Sequence, residues 1–258
     1  MQNPRLIAGL LVALCAAGPA AAQVCQPGPT ALVLSGGGAK GVAHMSLHEN
    51  GAALKCFRRA TELEPLKTTY WINLGMCQVA LLAYSDGLKT YEHALSLSPT
   101  NDEKVRLYWL SGEAHEYLYQ LREALEAYDK ALAVDNKERR AWLGRGRVYS
   151  ALALPREAFQ AYEFASKLDP SDPQTWRSMG MATLELNQPK QAMYYFEQAL
   201  KLNPRDAKAW CGKGQSLLET KRTAEAQQAY ETAYKLDPNS AEALMGMARV
   251  KGTGSLRA

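Results

Sequence analysis

After residue 22 the chain has no apolar run approaching the roughly 20 residues that a transmembrane helix needs, which excludes a polytopic membrane protein. Its five cysteines include no C-x-x-C pair, and no metal or cofactor is expected. It has no basic arm either. Thirty Lys and Arg are interleaved with 26 Asp and Glu for a net charge of +4, and Arg58-Arg59, Arg139-Arg140 and Arg145/Arg147 read as solvated helix faces; no nucleic-acid partner is expected. Neither a G-x-S-x-G pentapeptide nor a G-x-x-x-x-G-K-[ST] loop occurs, which removes the usual serine elbow and the usual phosphate loop. What is there is 47% apolar and 22% charged, too apolar for a disordered tail and too poor in Gly and Pro for a fibre.

Residues 1–22 combine Arg5, an apolar stretch from Leu6 to about Ala17, a Gly18-Pro19 break and the small residues Ala20 and Ala22. This is the pattern of a cleavable secretory signal, with the cut expected between Ala22 and Gln23 and a secreted or periplasmic product. A lipid anchor would want a small residue before its cysteine, but Leu14 precedes Cys15 and Val24 precedes Cys25. Cleavage would leave Cys25, Cys56, Cys77 and Cys211. Cys56 and Cys77 fall on successive predicted helices, where a disulfide requires Cα atoms within ~7 Å; the alternative is a set of buried thiols.

A period runs through the rest. Pro65, Pro99, Pro170, Pro204 and Pro238 are spaced 34, 71, 34 and 34 apart, with Asn136 in the missing place and three extra residues at about Asp102 to Lys104. A large aromatic recurs at Trp71, Tyr108, Trp142, Trp176 and Trp210, and a glycine follows four residues later at Gly75, Gly112, Gly146, Gly180 and Gly214. Twelve residues beyond each glycine stands a small residue, Gly87, Ala124, Ala158, Ala192 or Ala226. A ring follows at Tyr91, Tyr128, Tyr162, Phe196 or Tyr230, and then an alanine. Each unit holds two amphipathic stretches of about 13 residues, with small residues where two axes approach and rings in the space that opens beside them. The combination resembles the tetratricopeptide repeat, a helix-turn-helix unit of 34 residues. The expected fold is an all-α helical solenoid over residues 49–251, about six helix pairs plus a C-terminal capping helix from Ala241, whose exposed side would carry Glu242, Arg249 and Lys251. Residues 252–258 read as a flexible tail.

Residues 23–48 are less regular. The segment Ala31-Leu32-Val33-Leu34-Ser35-Gly36-Gly37-Gly38-Ala39-Lys40-Gly41-Val42-Ala43-His44 resembles the strand and glycine-rich turn that open patatin-like phospholipases, where the turn supplies an oxyanion hole. The family's elbow is missing, and Gly252-Thr253-Gly254-Ser255 places a serine one position late without a following glycine. Gly41, Ala53, Phe57, Ala60 and Pro65 also occupy repeat slots. The segment reads as a noncatalytic remnant or fusion junction of an acyl hydrolase; the alternatives are a degenerate first repeat and a hydrolase opening that is active with help from another chain.

The tetratricopeptide resemblance implies a concave surface lined by the first helix of each unit, and a noncatalytic scaffold that binds proteins or peptides there. Carried onto this chain, the lining includes Asn73, Trp109, Arg140, Arg147, Arg177, Lys208 and Gln215. Asn73 alone keeps a member of the Lys/Asn constellation that captures terminal carboxylates in such grooves. The distal half is basic, so an acidic protein segment is the expected ligand, with guanidinium groups paired to carboxylates.

Overall fold

The computed structural model describes residues 39–255, with side chains from Asn50 to Val250. Among these residues there are twelve helices and no strand. Residues 31–38 of the glycine-rich opening and the signal segment lie outside them. The chain divides into two compact units, meeting at Asn136 and Lys137.

The first unit contains α1 (Ala39–Leu63), α2 (Thr68–Ala80), α3 (Tyr84–Ser96), α4 (Asn101–Tyr117) and α5 (Leu121–Val134). Here α2 pairs with α3 and α4 with α5. The second contains α6 (Arg139–Ala151), α7 (Pro155–Leu168), α8 (Pro173–Glu185), α9 (Pro189–Leu202), α10 (Ala207–Glu219), α11 (Thr223–Leu236) and α12 (Ala241–Ser255), with pairs α6/α7, α8/α9 and α10/α11. Five complete pairs are thus present. The copy before them is the single continuous helix α1: Gly41 lies on the same helix as Ala53, Phe57 and Ala60, with no turn between the two sets of slots. At the other end α12 has no second helix, and the tail expected from residue 252 is helical as far as Ser255.

The recurring slots meet as their sizes require. A Cβ added to Gly75, Gly112, Gly146 or Gly180 would come within 3.0 Å of the ring of Tyr91, Tyr128, Tyr162 or Phe196 in the paired helix, so only a glycine lets the two axes close onto the ring. The small residues Ala124, Ala158, Ala192 and Ala226 are fully buried in the same contacts. The tryptophans do more than fill space. The indole Nε1 of Trp71, Trp176 and Trp210 donates to the carbonyl of Pro65, Pro170 and Pro204, at 2.8, 2.8 and 2.9 Å, tying each first helix to the proline that closes the preceding unit. The three extra residues of the irregular copy become an additional N-terminal turn of α4, which has 17 residues where the other paired first helices have 13. Thr100 and Glu103 form a capping box that satisfies the backbone donors of that turn.

Cys77 is fully buried beside Phe57 and Leu74 and is in no disulfide, whereas Cys56 is disulfide-bonded, so these two cysteines are not joined to each other.

The ring hydroxyls show what tunes each contact. Tyr128 donates to Glu116, twelve residues earlier, and the Tyr162 hydroxyl lies 3.4 Å from Ser150 Oγ at the same separation. Where that position is Leu184, the ring is Phe196 and has no hydroxyl to satisfy. For Tyr91 the position is Val79, and the buried hydroxyl has no hydrogen-bond partner, while burial raises its pKa. A buried unsatisfied hydroxyl costs about 1 to 3 kcal/mol. Tyr91→Phe is therefore expected to stabilise the protein by about 1 kcal/mol in a urea titration, whereas Tyr128→Phe, which loses a made bond, destabilises it.

Candidate peptide-binding surface

In the first unit both candidate binding residues, Asn73 on α2 and Trp109 on α4, are buried, as are Ile72 and Met76 on α2. Asn73 and Trp109 are packing residues and present no open face to a ligand. Arg106 on α4 reaches back to Met76, its Nη2 lying 3.3 Å from the sulfur.

The second unit holds the other five. Arg140, near the start of α6, and Lys208, near the start of α10, are exposed, and Arg147 is half-buried on α6. Arg177 on α8 is spent internally: its guanidinium pairs with Asp206, and the two side chains are only 24% and 8% exposed. Asp206 is also the N-cap of α10, accepting from the backbone N–H of Lys208 and Ala209 at 3.1 and 3.2 Å. One carboxylate therefore caps a helix and anchors the arginine of the preceding unit, and it brings Arg177 and the start of the Lys208 turn together. Gln215, further along α10, donates from Nε2 to Glu219 at 3.0 Å.

Three features were absent from the expected site. Glu138, Asp172 and Asp206 each cap a first helix, and they stand 34 residues apart, a period that was open to reading. Arg139 pairs with Asp172 at 3.1 Å and with Asp169 at 3.7 Å, repeating between α6 and the α8 entrance what Arg177 does one unit later. The hydrogen bonds from Ser171 hold the Asp169 carboxyl below its usual range, with Arg139 adding to the shift. Finally, exposed Glu185 and Glu219 lie at the C-terminal ends of α8 and α10. Partial burial raises the Glu185 pKa. Eleven residues separate Lys208 from Glu219, about 16 Å along a helix, so on α10 an exposed cation lies near one end and an exposed carboxylate at the other, while Asp206 holds a further carboxylate at the N-cap. Met181 on α8 is 44% exposed.

Burial raises the pKa of the Cys211 thiol, which sits 4.0 Å from Ser240 Oγ. Among the described residues no cluster of His, Cys, Asp and Glu could hold a metal ion, and no helix is long and apolar enough to cross a membrane.

Tandem helix pairs wedged apart by one ring per pair, with capped first helices stacking on one another, define an all-α helical-repeat protein. The tetratricopeptide-repeat family model matches residues 39–102 and 177–241, together half of the chain, and the chain belongs to that family. The match begins at the first residue of α1. Among solved structures the chain is similar to YrrB, a tetratricopeptide-repeat protein with an unusual peptide-binding site, at 21% identity and a TM-score of 0.62, covering 75% of this chain and 98% of that one. It is similar to a chain of the APC/C hetero-tetramer Cut9–Hcn1, at 18% identity and a TM-score of 0.66, covering 82% of this chain and 41% of that one. It is also similar to MamA, at 20% identity and a TM-score of 0.54, covering 65% of this chain and 90% of that one. No curated protein sequence matches it.

Proposed function

We propose that the protein is an exported, noncatalytic scaffold whose first-helix surface binds an acidic protein or peptide segment along the N-terminal ends of α6, α8 and α10. The carrying observation is the exposed Arg140 and Lys208 on first helices of one compact unit. The family is one of protein-interaction modules, and the description of YrrB as having a peptide-binding site supports the same reading. The missing G-x-S-x-G supports the absence of acyl-hydrolase chemistry.

Arg177 is a poor probe of this reading, because its removal leaves the Asp206 carboxylate buried without its cation. Arg140→Glu with Lys208→Glu is the better test. Exposed pairs contribute only ~0 to 1 kcal/mol each, but reversing two of them is expected to weaken binding of a fluorescein-labelled Glu/Asp-rich peptide by about tenfold or more, and added salt should weaken the wild type. Equal affinity for a Lys-rich control, or no effect of the double reversal, would move the site elsewhere.

Export is tested separately. Intact mass of material recovered outside the cytoplasm is expected to begin at Gln23, and a chain that starts at Met1 would overturn it.

A further inference from the structure

The terminal helix α12 is a first helix by its contacts. A Cβ at Gly246 would fall within 3.0 Å of the Tyr230 ring, just as one at Gly212 would meet Phe196. Ser240 caps it, accepting from the Ala243 N–H at 3.3 Å, in the place where Asp206 caps α10. Ala243 and Val250 bury its inner side against α10 and α11.

In complete pairs a second helix then covers the outer side, and among the described residues none covers that of α12. Leu244 and Met245 are 47% and 60% exposed, and Ala248 is exposed beside them. A purely solvating cap would place polar side chains at these positions; α12 instead carries this apolar strip between Glu242 in its first turn and Arg249 two turns later. Both are exposed, and neither makes an ion pair among the described residues. A seven-residue separation keeps them on one face, about 10 Å apart along the helix.

An apolar strip bounded by opposite charges at equal distances from its centre is self-complementary under a two-fold rotation. Two such helices laid antiparallel, with the axis between Met245 and Gly246, set Glu242 of each copy against Arg249 of the other and close Leu244 and Met245 between them. We propose that α12 is the contact surface of a homodimer, formed by antiparallel pairing with α12 of a second copy of this chain. The interface is isologous and closes at two copies. A one-helix contact is small, so the dimer is reversible, with a Kd on the order of 10 μM. It is independent of any ligand at the first-helix surface.

The test is sedimentation equilibrium of the full chain as exported, over roughly 1 to 200 μM, a range set around that Kd. The wild type is expected to pass from monomer to dimer. Glu242→Arg and Arg249→Glu each place like charges at both contacts and are expected to raise the dissociation constant tenfold or more. Mixing the two variants restores complementary charge at both contacts, and heterodimers should return at near wild-type affinity. Circular dichroism checks that each variant keeps the wild-type helix content, as two exposed side chains should allow. A wild type that stays monomeric throughout would overturn the proposal. So would single variants that still dimerise, or a mixture that does not; the last two outcomes would assign the contact to another surface, such as α1.

Discussion

Gly212→Ala is expected to destabilise the protein by about 2 to 3 kcal/mol, although the same exchange at an open helical position is stabilising. The reason lies in how Phe196 is held. Its ring is fully buried, with Gly212 of α10 on one side and Gly180 of α8 on the other, where an added Cβ would already be 2.8 to 2.9 Å away. A methyl at Gly212 would stand within 3.0 Å of three ring atoms, and the ring has no free side to retreat to. Overpacking of this kind costs roughly 1 to 3 kcal/mol or more, against a helix-propensity gain of up to about 1. Gly51→Ala in α1, where an added Cβ meets nothing within 4 Å, should show the propensity gain alone, about 0.5 to 1 kcal/mol. Denaturant titrations of the two variants should therefore move in opposite directions. Phe196→Leu should recover part of the Gly212→Ala loss, and a double-mutant cycle without coupling would contradict the clamp.

The second large effect has the opposite sign. Each of the five turns within a pair places one residue in the left-handed region, at Leu82, Tyr119, Ala153, Asn187 and Lys221, with φ between 54° and 65°. The turn then closes by a backbone bond five residues back, as from Ala83 N–H to the Gln78 carbonyl and from Leu154 N–H to that of Tyr149. None of the five is glycine, and only Asn187 is a type that tolerates this region well. Leu82 and Tyr119 are 59% and 87% exposed, so their side chains have little packing to lose. Glycine at Leu82, Tyr119, Ala153 and Lys221 relieves roughly 1 to 2 kcal/mol of strain at each position, less about 0.5 to 1 for the freer unfolded chain. The four changes lie in separate turns and should add. The combined variant is expected to gain about 2 to 4 kcal/mol and melt roughly 5 to 15 °C higher, while Asn187→Gly alone changes little. A quadruple variant that melts no higher than the wild type would show that the turns carry no such strain.

Much of the architecture was legible before any coordinates. The period, the number of helices per unit, the glycine and ring slots, and the position of the three extra residues all follow from side-chain size repeating every 34 residues, because a helix pair can close only where small residues face a ring. The cap period at Glu138, Asp172 and Asp206 was equally legible and unread. The candidate surface was less so. Its residues could be assigned to first helices, but exposure depends on the tertiary neighbours: Asn73 and Trp109 are buried, and Arg177 meets a carboxylate 29 residues away.

Local pattern alone determined that this chain folds as helix pairs of the tetratricopeptide type, since propensity, turn position and amphipathic period act within one unit. Only the tertiary structure decided three further things: that Phe196 is gripped by a second glycine from the following unit, that α1 runs on without a turn, and that α12 leaves Leu244 and Met245 uncovered. Each depends on what one unit meets in the next, and contact between units is set by packing in three dimensions rather than by any spacing along the chain.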